Sequence, residues 1–311
     1  MEDSLHPDRH AIAPEHGQTH LESRARFISV EEGFNIKRPP PKPQSFDAER
    51  DRALDPARPS GVIELDLSAA LLTPYAATTP LLLAKYIRVR EGQHIDAEFH
   101  ASAEIYYVIQ GAGFSSQNDG TTLSWNAGDL FCLPGGAPTT HRALLDDAIL
   151  YSVTDEPLLA FCGVGPLSPR DAPLETVLYS AARMARELEA LYSRSLGPET
   201  AGRALFLTSS MREATRTCTP ALTMTLNAVQ PGESQPAHRH NAAAIVFIMQ
   251  GGSVSSTIGD QTFVWDQASV LLTPPNAIHS HNNTGRQAAV ALIVQDGGLH
   301  YHCRTMGFEF M

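Results

Sequence analysis

Three histidines in the C-terminal half of the chain have the residue type and the spacing of metal ligands. His238 and His240 flank one residue in the segment PGESQPAHRH (231–240), and His279 follows the apolar run SVLLTPPNAI. Because side chains alternate between the two faces of a strand, His238 and His240 are predicted to point together into one space, which His279 could reach from a neighbouring strand. Three neutral imidazoles that face one point bind a divalent transition metal, such as Fe(II), Mn(II), Ni(II) or Zn(II), and leave coordination positions open. The alternative is a set of unrelated core or surface histidines.

These histidines lie in the second of two related segments. Residues 92–141 and 232–281 are versions of one sequence at a constant offset of 140 positions, with no gap. Matching positions keep the same residue at Gly92 and Gly232, His100 and His240, Gly111 and Gly251, Trp125 and Trp265, Pro134 and Pro274, and His141 and His281. Such a repeat indicates two copies of one fold. In the first copy Glu98 and Thr139 stand where the second copy has His238 and His279, so the complete triad occurs in the second copy only.

The elements that must position these residues are predicted to be strands. From about Gly61 onwards, short apolar runs are separated by Gly, Asn, Asp and Pro at the spacing that is typical of sandwiches and closed barrels. The predicted fold is therefore all-β, with two jelly-roll (double-stranded β-helix) barrels and a connecting helix. We predict that helix over about 172–196, where Leu174, Leu178, Met184, Leu188 and Leu191 recur at helical spacing before Gly197. The predicted organisation is a partly irregular arm at 1–60, an N-terminal barrel at 61–165, a linker with the helix at 166–205 and a C-terminal barrel with the metal site at 206–311.

Composition restricts the class of partner. The 311 residues carry a formal net charge of −11, which argues against a nucleic-acid surface and favours a small-molecule ligand. No stretch approaches the roughly 20 apolar residues of a membrane span, and the N-terminus lacks a signal-peptide pattern, so we expect a cytoplasmic protein. Four widely spaced cysteines, Cys132, Cys162, Cys218 and Cys303, form no CxxC pair, and we interpret them as buried packing residues. Four histidines of the arm, His6, His10, His16 and His20, are interpreted as solvated.

The histidine segment resembles the two sequence motifs of the cupins. The motif G(x)5HxH(x)3–4E(x)6G followed by G(x)5PxG(x)2H(x)3N is matched at Gly232, His238, His240, Gly251, Pro274, His279 and Asn283. Ala244 replaces the usual glutamate ligand, and Ala268 and Asn276 replace the two glycines of the second motif. PAHRH without a following Glu, together with P-x-x-x-x-H-x-H, is similar to the group of two-barrel cupins that contains gentisate, salicylate and hydroxynaphthoate dioxygenases.

The resemblance implies a mononuclear, non-haem Fe(II) dioxygenase that uses O2 to cleave a small chelating substrate, most simply a hydroxylated aromatic. It implies that His281 acts as an acid or base in the pocket; a structural histidine is the equal alternative, because His141 occupies the matching position of the first copy. It also implies substrate contacts from Asn227, Val246 and Asn283. Val246 stands where gentisate-type enzymes have an arginine that binds the substrate carboxylate, so gentisate itself is not the expected substrate.

Other interpretations remain at this level. Glu98, His100, Glu104 and His141 in the first copy could bind a second metal, although a barrel with a structural role is favoured. The same ligand triad would serve a redox-neutral Mn(II) or Zn(II) hydrolase or isomerase, and a non-enzymatic ligand-binding protein is a further alternative. Exposed barrel edges and the proline-rich arm lead us to expect a homo-oligomer, a dimer or tetramer.

Overall fold

The computed structural model describes residues 20–34, 38, 40–195, 197, 200 and 202–311. It divides the chain into two compact units, residues 1–38 and 39–311. The described part of the first unit includes the short helix α1 (Val30–Gly33), whose N-cap Ser29 accepts a hydrogen bond from the Glu32 amide. His6, His10 and His16 lie outside the described residues, and His20 is exposed.

The second unit contains both barrels, and the first of these consists of two antiparallel sheets. One sheet has the strand order β11-β8-β5-β10-β3-β2, and the other has the order β4-β9-β6-β7. Their bounds are β2 (Gly61–Glu64), β3 (Leu83–Val89), β4 (His94–Ala97), β5 (Ala103–Gln110), β6 (Ala112–Gln117), β7 (Thr122–Asn126), β8 (Leu130–Pro134), β9 (Thr139–Ala143), β10 (Ala148–Thr154) and β11 (Val177–Tyr179).

The second barrel repeats this plan with one strand more. Its sheets have the orders β1-β18-β15-β20-β13-β12 and β17-β16-β19-β14-β21. Their bounds are β1 (Gln44–Ser45), β12 (Arg203–Phe206), β13 (Thr223–Val229), β14 (Ser234–His240), β15 (Ala244–Gln250), β16 (Val254–Ile258), β17 (Gln261–Val264), β18 (Val270–Thr273), β19 (His279–Asn283), β20 (Ala289–Gln295) and β21 (Phe308–Phe310). The prediction of two jelly-roll barrels is confirmed.

Short helices accompany the strands at equivalent points of the two halves. Helix α2 (Asp47–Leu54) precedes the first barrel and α5 (Ala181–Tyr192) precedes the second, whereas α4 (Glu156–Cys162) follows β10 and α6 (Gly297–Cys303) follows β20. Helix α3 (Ser68–Leu71) lies between β2 and β3. None of the helices in the described part of the chain is long and apolar enough to cross a membrane.

The alternation of side chains along each strand creates three apolar cores. Inward-facing residues such as Val108 and Leu150 fill the first barrel, and Val229, Val246 and Ile293 line the second. The outward-facing residues of the two six-stranded sheets form the largest core, between the barrels. There Tyr151 stacks on Phe247 with 4.4 Å between ring centroids, so burial of both sheets joins the barrels into one body.

Each barrel also receives a strand from the segment that precedes the other barrel. In β1, Gln44 pairs with Leu272 of the second barrel, whereas in β11, Val177 pairs with Cys132 of the first barrel. The segment predicted as an arm at 1–60 therefore contains an ordered strand and the helix α2, which the polar sequence DAERDRAL did not indicate. The predicted domain boundaries remain a proposal, and these strands show that each barrel uses residues from outside its own segment.

The predicted helix at 172–196 is shorter than expected. It begins after Ser180, whose side chain accepts a hydrogen bond from the Arg183 amide, and it buries Met184, Leu188 and Leu191. Residues 177–179 form β11 instead, because pairing with β8 satisfies their backbone groups.

The four cysteines were predicted to be buried packing residues. Cys132 and Cys218 are buried as predicted, whereas the prediction was wrong for Cys162 and Cys303, which are exposed.

Candidate metal centre

Two adjacent strands bring the three predicted ligands together. In the pairing of β14 with β19, His238 lies directly opposite His279, after an irregularity in register between Gln235 and His238. Residues directly opposite each other place their side chains on one face of the sheet. His240, two residues further along β14, shares that face. The ring centroids of His238 and His279 are 4.2 Å apart, and those of His240 and His279 are 4.8 Å apart.

Backbone carbonyl groups orient all three imidazole rings. The Nδ1 atom of His238 lies 2.9 Å from the carbonyl oxygen of Pro236, that of His240 lies 2.8 Å from Ala242, and that of His279 lies 2.9 Å from Ala277. A carbonyl oxygen can only accept, so each Nδ1 carries the proton and each Nε2 keeps its lone pair. This is the way in which outer contacts fix the tautomer of metal-binding histidines.

The surroundings keep the three rings neutral. Burial is the largest cause that lowers the pKa of His279 to about 2, and the neighbouring His238, as a potential positive charge, contributes to this shift. Burial also lowers the pKa values of His238 and His240. Neutral imidazole is the form that binds metals, so the site is ready to accept a cation near neutral pH.

The donor set fits a divalent transition metal. The ligand nitrogens of His238, His240 and His279 all lie within 4.8 Å of one another. Among the residues that the structure describes, this is the one group of three or more His, Cys, Asp or Glu side chains with such spacing. The three rings are 5–7% exposed, whereas Glu104, Thr139 and His141 in the first barrel are 0% exposed. The triad therefore retains access for a ligand.

Small side chains surround the triad on the strands that face it. Ala244, Val246 and Thr273 occupy the positions that Glu104, Tyr106 and Leu133 hold in the first copy. Alternation along β15 and β18 directs these three positions of the second barrel inward. The interior of the second barrel thus has space where that of the first is filled.

Gln295 is a further polar neighbour that sequence reasoning missed. Its Nε2 atom lies 3.3 Å from Nε2 of His240, and its backbone pairs with Ala244 at the end of β20. Its place after the apolar run AVALIV was the only available signal, because period-two alternation carries the inward face from Ile293 to Gln295.

The predicted catalytic residue His281 shares its surroundings with His141. The Ser256 hydroxyl lies 2.7 Å from Nδ1 of His281 and accepts a hydrogen bond from Trp265. In the first barrel, Ser115 links His141 to Trp125 in the same way. His281 differs because its ring centroid is 5.8 Å from that of the ligand His279.

The three predicted substrate-binding residues have different environments. Val246 and Asn227 lie on inward-facing positions of their strands, and the buried Oδ1 atom of Asn227 has no hydrogen-bond partner. Asn283 has a different role, because its amide group donates to the carbonyl oxygens of Val229 and Gln287 and accepts from the Gly285 amide. These bonds fix a turn and leave Asn283 no free donor for a substrate.

The structure does not bring Glu98, His100, Glu104 and His141 together. Strand β4 ends at Ala97, and both Glu98 and His100 are exposed, with Nε2 of His100 3.0 Å from the Val164 carbonyl oxygen. Phe99 packs against the interior instead, with its ring centroid 3.9 Å from Nζ of Lys85. The suggested second metal site is therefore not formed, because the chain leaves the sheet before its first two ligands.

A buried hydrogen-bond network occupies this part of the first barrel. Tyr106 donates a 2.6 Å hydrogen bond to Glu104, and Thr139 donates a second. Burial raises the pKa of Glu104 to about 8, against these hydrogen bonds, which lower it. Lys85 is completely buried, and its ammonium group pairs with Glu156 and donates to Thr154. The first barrel thus contains a protein cation in its polar interior.

The last strand explains why β14 continues where β4 stops. Strand β21 pairs with β14 so that Phe310 lies opposite His238 and Phe308 lies opposite His240. The ring of Phe308 stacks on that of His238, with 5.1 Å between centroids. Within the described part of the chain, no strand pairs with β4 at the equivalent edge of the first barrel's four-stranded sheet. No local pattern indicated this contact, because the segment FEF (308–310) follows helix α6 and lies far from β14 along the chain.

A surface cavity borders His240, one of the three metal ligands. It measures about 480 Å³ and is lined by Arg239, His240, Asn276, Gly307, Phe308 and Glu309. Two larger grooves, of about 640 and 740 Å³, contain none of the three ligands. Proximity to the triad, and not volume, identifies the relevant opening.

Comparisons with known proteins agree with this geometry. Residues 226–295 match the family model of the cupin domain. The chain is 34% identical over 87 residues to a 5-aminosalicylate 1,2-dioxygenase from Comamonas sp, and 29% identical over 82 residues to a gentisate 1,2-dioxygenase from Ralstonia sp. These alignments cover 28% and 26% of this chain but only 23% of each relative, so the chain matches about a quarter of their length.

A solved structure extends the likeness of fold to both barrels. The salicylate 1,2-dioxygenase from Pseudaminobacter salicylatoxidans superposes with a TM-score of 0.74 at 13% identity, over 99% of both chains. At this identity the match concerns the fold alone. The fold of the chain is thus that of a two-barrel cupin, and the sequence similarity to a cupin domain and to gentisate-type dioxygenases extends over parts of the chain.

Proposed function

We propose that the protein is a mononuclear, non-haem Fe(II) dioxygenase that cleaves a small chelating aromatic substrate with O2. The observation that carries the proposal is the convergence of three neutral imidazoles, each with its Nδ1 proton directed to a carbonyl oxygen. Two relatives that match part of this chain are a 5-aminosalicylate 1,2-dioxygenase and a gentisate 1,2-dioxygenase, which supports the same reaction class here.

The charge of the ligand set suits this chemistry. Three neutral ligands leave a bound divalent ion its full charge and open positions, which a hydroxylated aromatic and dioxygen could share. Iron would supply the electron transfer between dioxygen and the ring. We propose iron, rather than manganese, nickel or zinc, as the native metal of this site.

The residues around the triad have separable roles. The three carbonyl contacts hold the ligand rings, and Ala244 leaves space where a carboxylate ligand would otherwise reduce the charge of the ion. Gln295 can donate a hydrogen bond to an oxygen atom held near His240. We propose that His281, oriented by Ser256, exchanges a proton with the substrate hydroxyl.

Metal content and oxygen uptake test the proposal together. The protein would be purified without oxygen, loaded with Fe(II), and screened in an oxygen electrode against hydroxybenzoates, hydroxynaphthoates and catechols. We expect about one iron per chain and substrate-dependent oxygen uptake. His279→Ala is expected to abolish both.

His141→Ala is the matched control, since it removes a buried histidine from the barrel without the triad. This variant should keep its iron and its oxygen uptake. Full iron binding in His279→Ala, or no oxygen uptake with any of these substrate classes in the iron-loaded protein, would refute the proposal.

A further inference from the structure

The C-terminal strand places two aromatic rings on the same side of the sheet as the metal ligands. Because Phe310 and Phe308 lie directly opposite His238 and His240, their side chains share the inward face. The centroid of Phe308 is 5.1 Å from that of His238, and the centroid of Phe310 is 6.4 Å from it. We call Phe308 and Phe310 the aromatic wall.

The aromatic wall remains open to solvent although the strand that carries it is firmly held. Phe308 is 49% exposed and Phe310 is 37% exposed. On the opposite face of the strand, Arg239 donates a 2.8 Å hydrogen bond to Glu309. Asn241 accepts from the Gly307 amide and donates to the Thr305 carbonyl oxygen. Two exposed aromatic rings on a well-held strand beside a metal site are typical of a binding surface for an apolar ring of a ligand.

Each partly buried arginine of the second barrel already has a hydrogen-bond partner. Residues 202–311, all of them described, contain six arginines and no lysine. Arg216, Arg286 and Arg304 are exposed. Arg203 donates to the carbonyl oxygens of Leu191 and Arg194, Arg212 donates to Thr217, and Arg239 pairs with Glu309. A carboxylate away from the metal would therefore lack the guanidinium partner that such groups usually have in binding sites.

Neutral groups supply the polar contacts instead. Gln295 lies 3.3 Å from His240. The hydroxyl group of Thr273 is buried, faces inward next to Ala244, and has no hydrogen-bond partner. An unpartnered buried hydroxyl next to an amide suits a ligand hydroxyl, which can both donate and accept.

We propose that the aromatic wall binds the substrate ring, and that the substrate is an aromatic diol of the catechol type without a carboxylate. Two adjacent hydroxyl oxygens chelate the metal, the ring lies against Phe308 and Phe310, and Gln295 and Thr273 contact the oxygens. This inference rests on the proposed function for the metal site, but it concerns binding and does not depend on turnover.

Ligand binding to the zinc-loaded protein tests the inference, because zinc does not activate dioxygen. Isothermal titration would compare catechol with salicylate, which has the same ring and one hydroxyl but carries a carboxylate. We expect catechol to bind at least tenfold more tightly. Phe308→Ala and Phe310→Ala should each weaken catechol binding by about three- to tenfold, the range measured for aromatic pairs. Phe206→Ala, which removes a ring that is 52% exposed on β12, should leave catechol binding unchanged.

Zinc affinity, measured by competition with a chelator, separates loss of the wall from loss of the ligand strand. If Phe308→Ala also weakens zinc binding, Phe308→Leu keeps the strand packed and should still weaken catechol. Equal or tighter binding of salicylate, or unchanged catechol binding in both phenylalanine variants, would overturn the inference. Zinc-loaded protein that binds catechol as expected, while the iron form takes up no oxygen, would support the inference and refute only the dioxygenase.

Discussion

Replacement of Glu104 by glutamine should change how stability depends on pH. Burial raises the pKa of Glu104 from 4.5 in the unfolded chain to about 8. The stability that depends on the protonated carboxyl is therefore fully present below pH 4.5 and is lost as the pH rises through 8. At about 1.4 kcal/mol per pH unit the whole effect is about 5 kcal/mol, of which about 3 kcal/mol falls between pH 5 and pH 8.

Chemical denaturation of metal-free protein measures this difference. The free energy of unfolding of the wild type and of Glu104→Gln would be determined at pH 5, 6, 7 and 8. Glutamine keeps an oxygen that accepts from Tyr106 and Thr139, and it cannot ionise. The buried histidines titrate in both proteins, so their contribution cancels in the comparison.

We expect Glu104→Gln to gain about 3 kcal/mol relative to the wild type between pH 5 and pH 8. Parallel curves, with a relative change below about 1 kcal/mol, would show that Glu104 is ionised in the folded protein and would refute the reasoning. A protonated Glu104 also explains why the first barrel offers no carboxylate ligand at neutral pH.

Three further predictions concern the second barrel and its counterpart. If His281 transfers a proton, His281→Asn should lower kcat by about 100-fold or more without loss of iron. His141→Asn should affect only the unfolding free energy. Equal effects of the two variants on kcat would instead indicate that both histidines have a structural role. Ala268→Gly should raise the unfolding free energy by about 0.5–1 kcal/mol, because Ala268 has a φ of 63°, and a lower melting temperature would contradict this. Glu309→Gln should change the unfolding free energy, measured by denaturation, by less than about 1 kcal/mol. The reason is that the side chains of its ion pair, Arg239 and Glu309, are 42% and 57% exposed. A larger loss would mean that this ion pair holds β21 on β14.

The two-barrel fold and the triad were predictable because both depend on local periodicity. The alternation of apolar residues identified the strands, and the spacing of His238 and His240 on one strand determined their common face. The left-handed conformation of Ala268 and Asn276 confirms that they occupy the turn positions of the motif glycines. At these two positions the motif glycines and the positive φ angles both reflect a turn with a left-handed backbone conformation.

Local patterns were not sufficient where contacts distant in sequence decide the structure. Glu98 and His100 match the spacing of His238 and His240, but β4 ends at Ala97, before both residues. The pairing of β21 with β14 joins segments that no local pattern connects. Asn283 matched a motif position, but its amide is used by the backbone of a turn. Sequence periodicity predicts which face of a strand a side chain lies on. Whether that side chain binds a ligand or holds a turn depends on its tertiary contacts.

The exchange of β1 and β11 suggests how the chain arose. A protein with one barrel, preceded by such a strand, would have completed its sheet only by donating the strand to a second copy in a symmetric dimer. Duplication and fusion of its gene would convert that dimer into one polypeptide, with the donated strands preserved as β1 and β11.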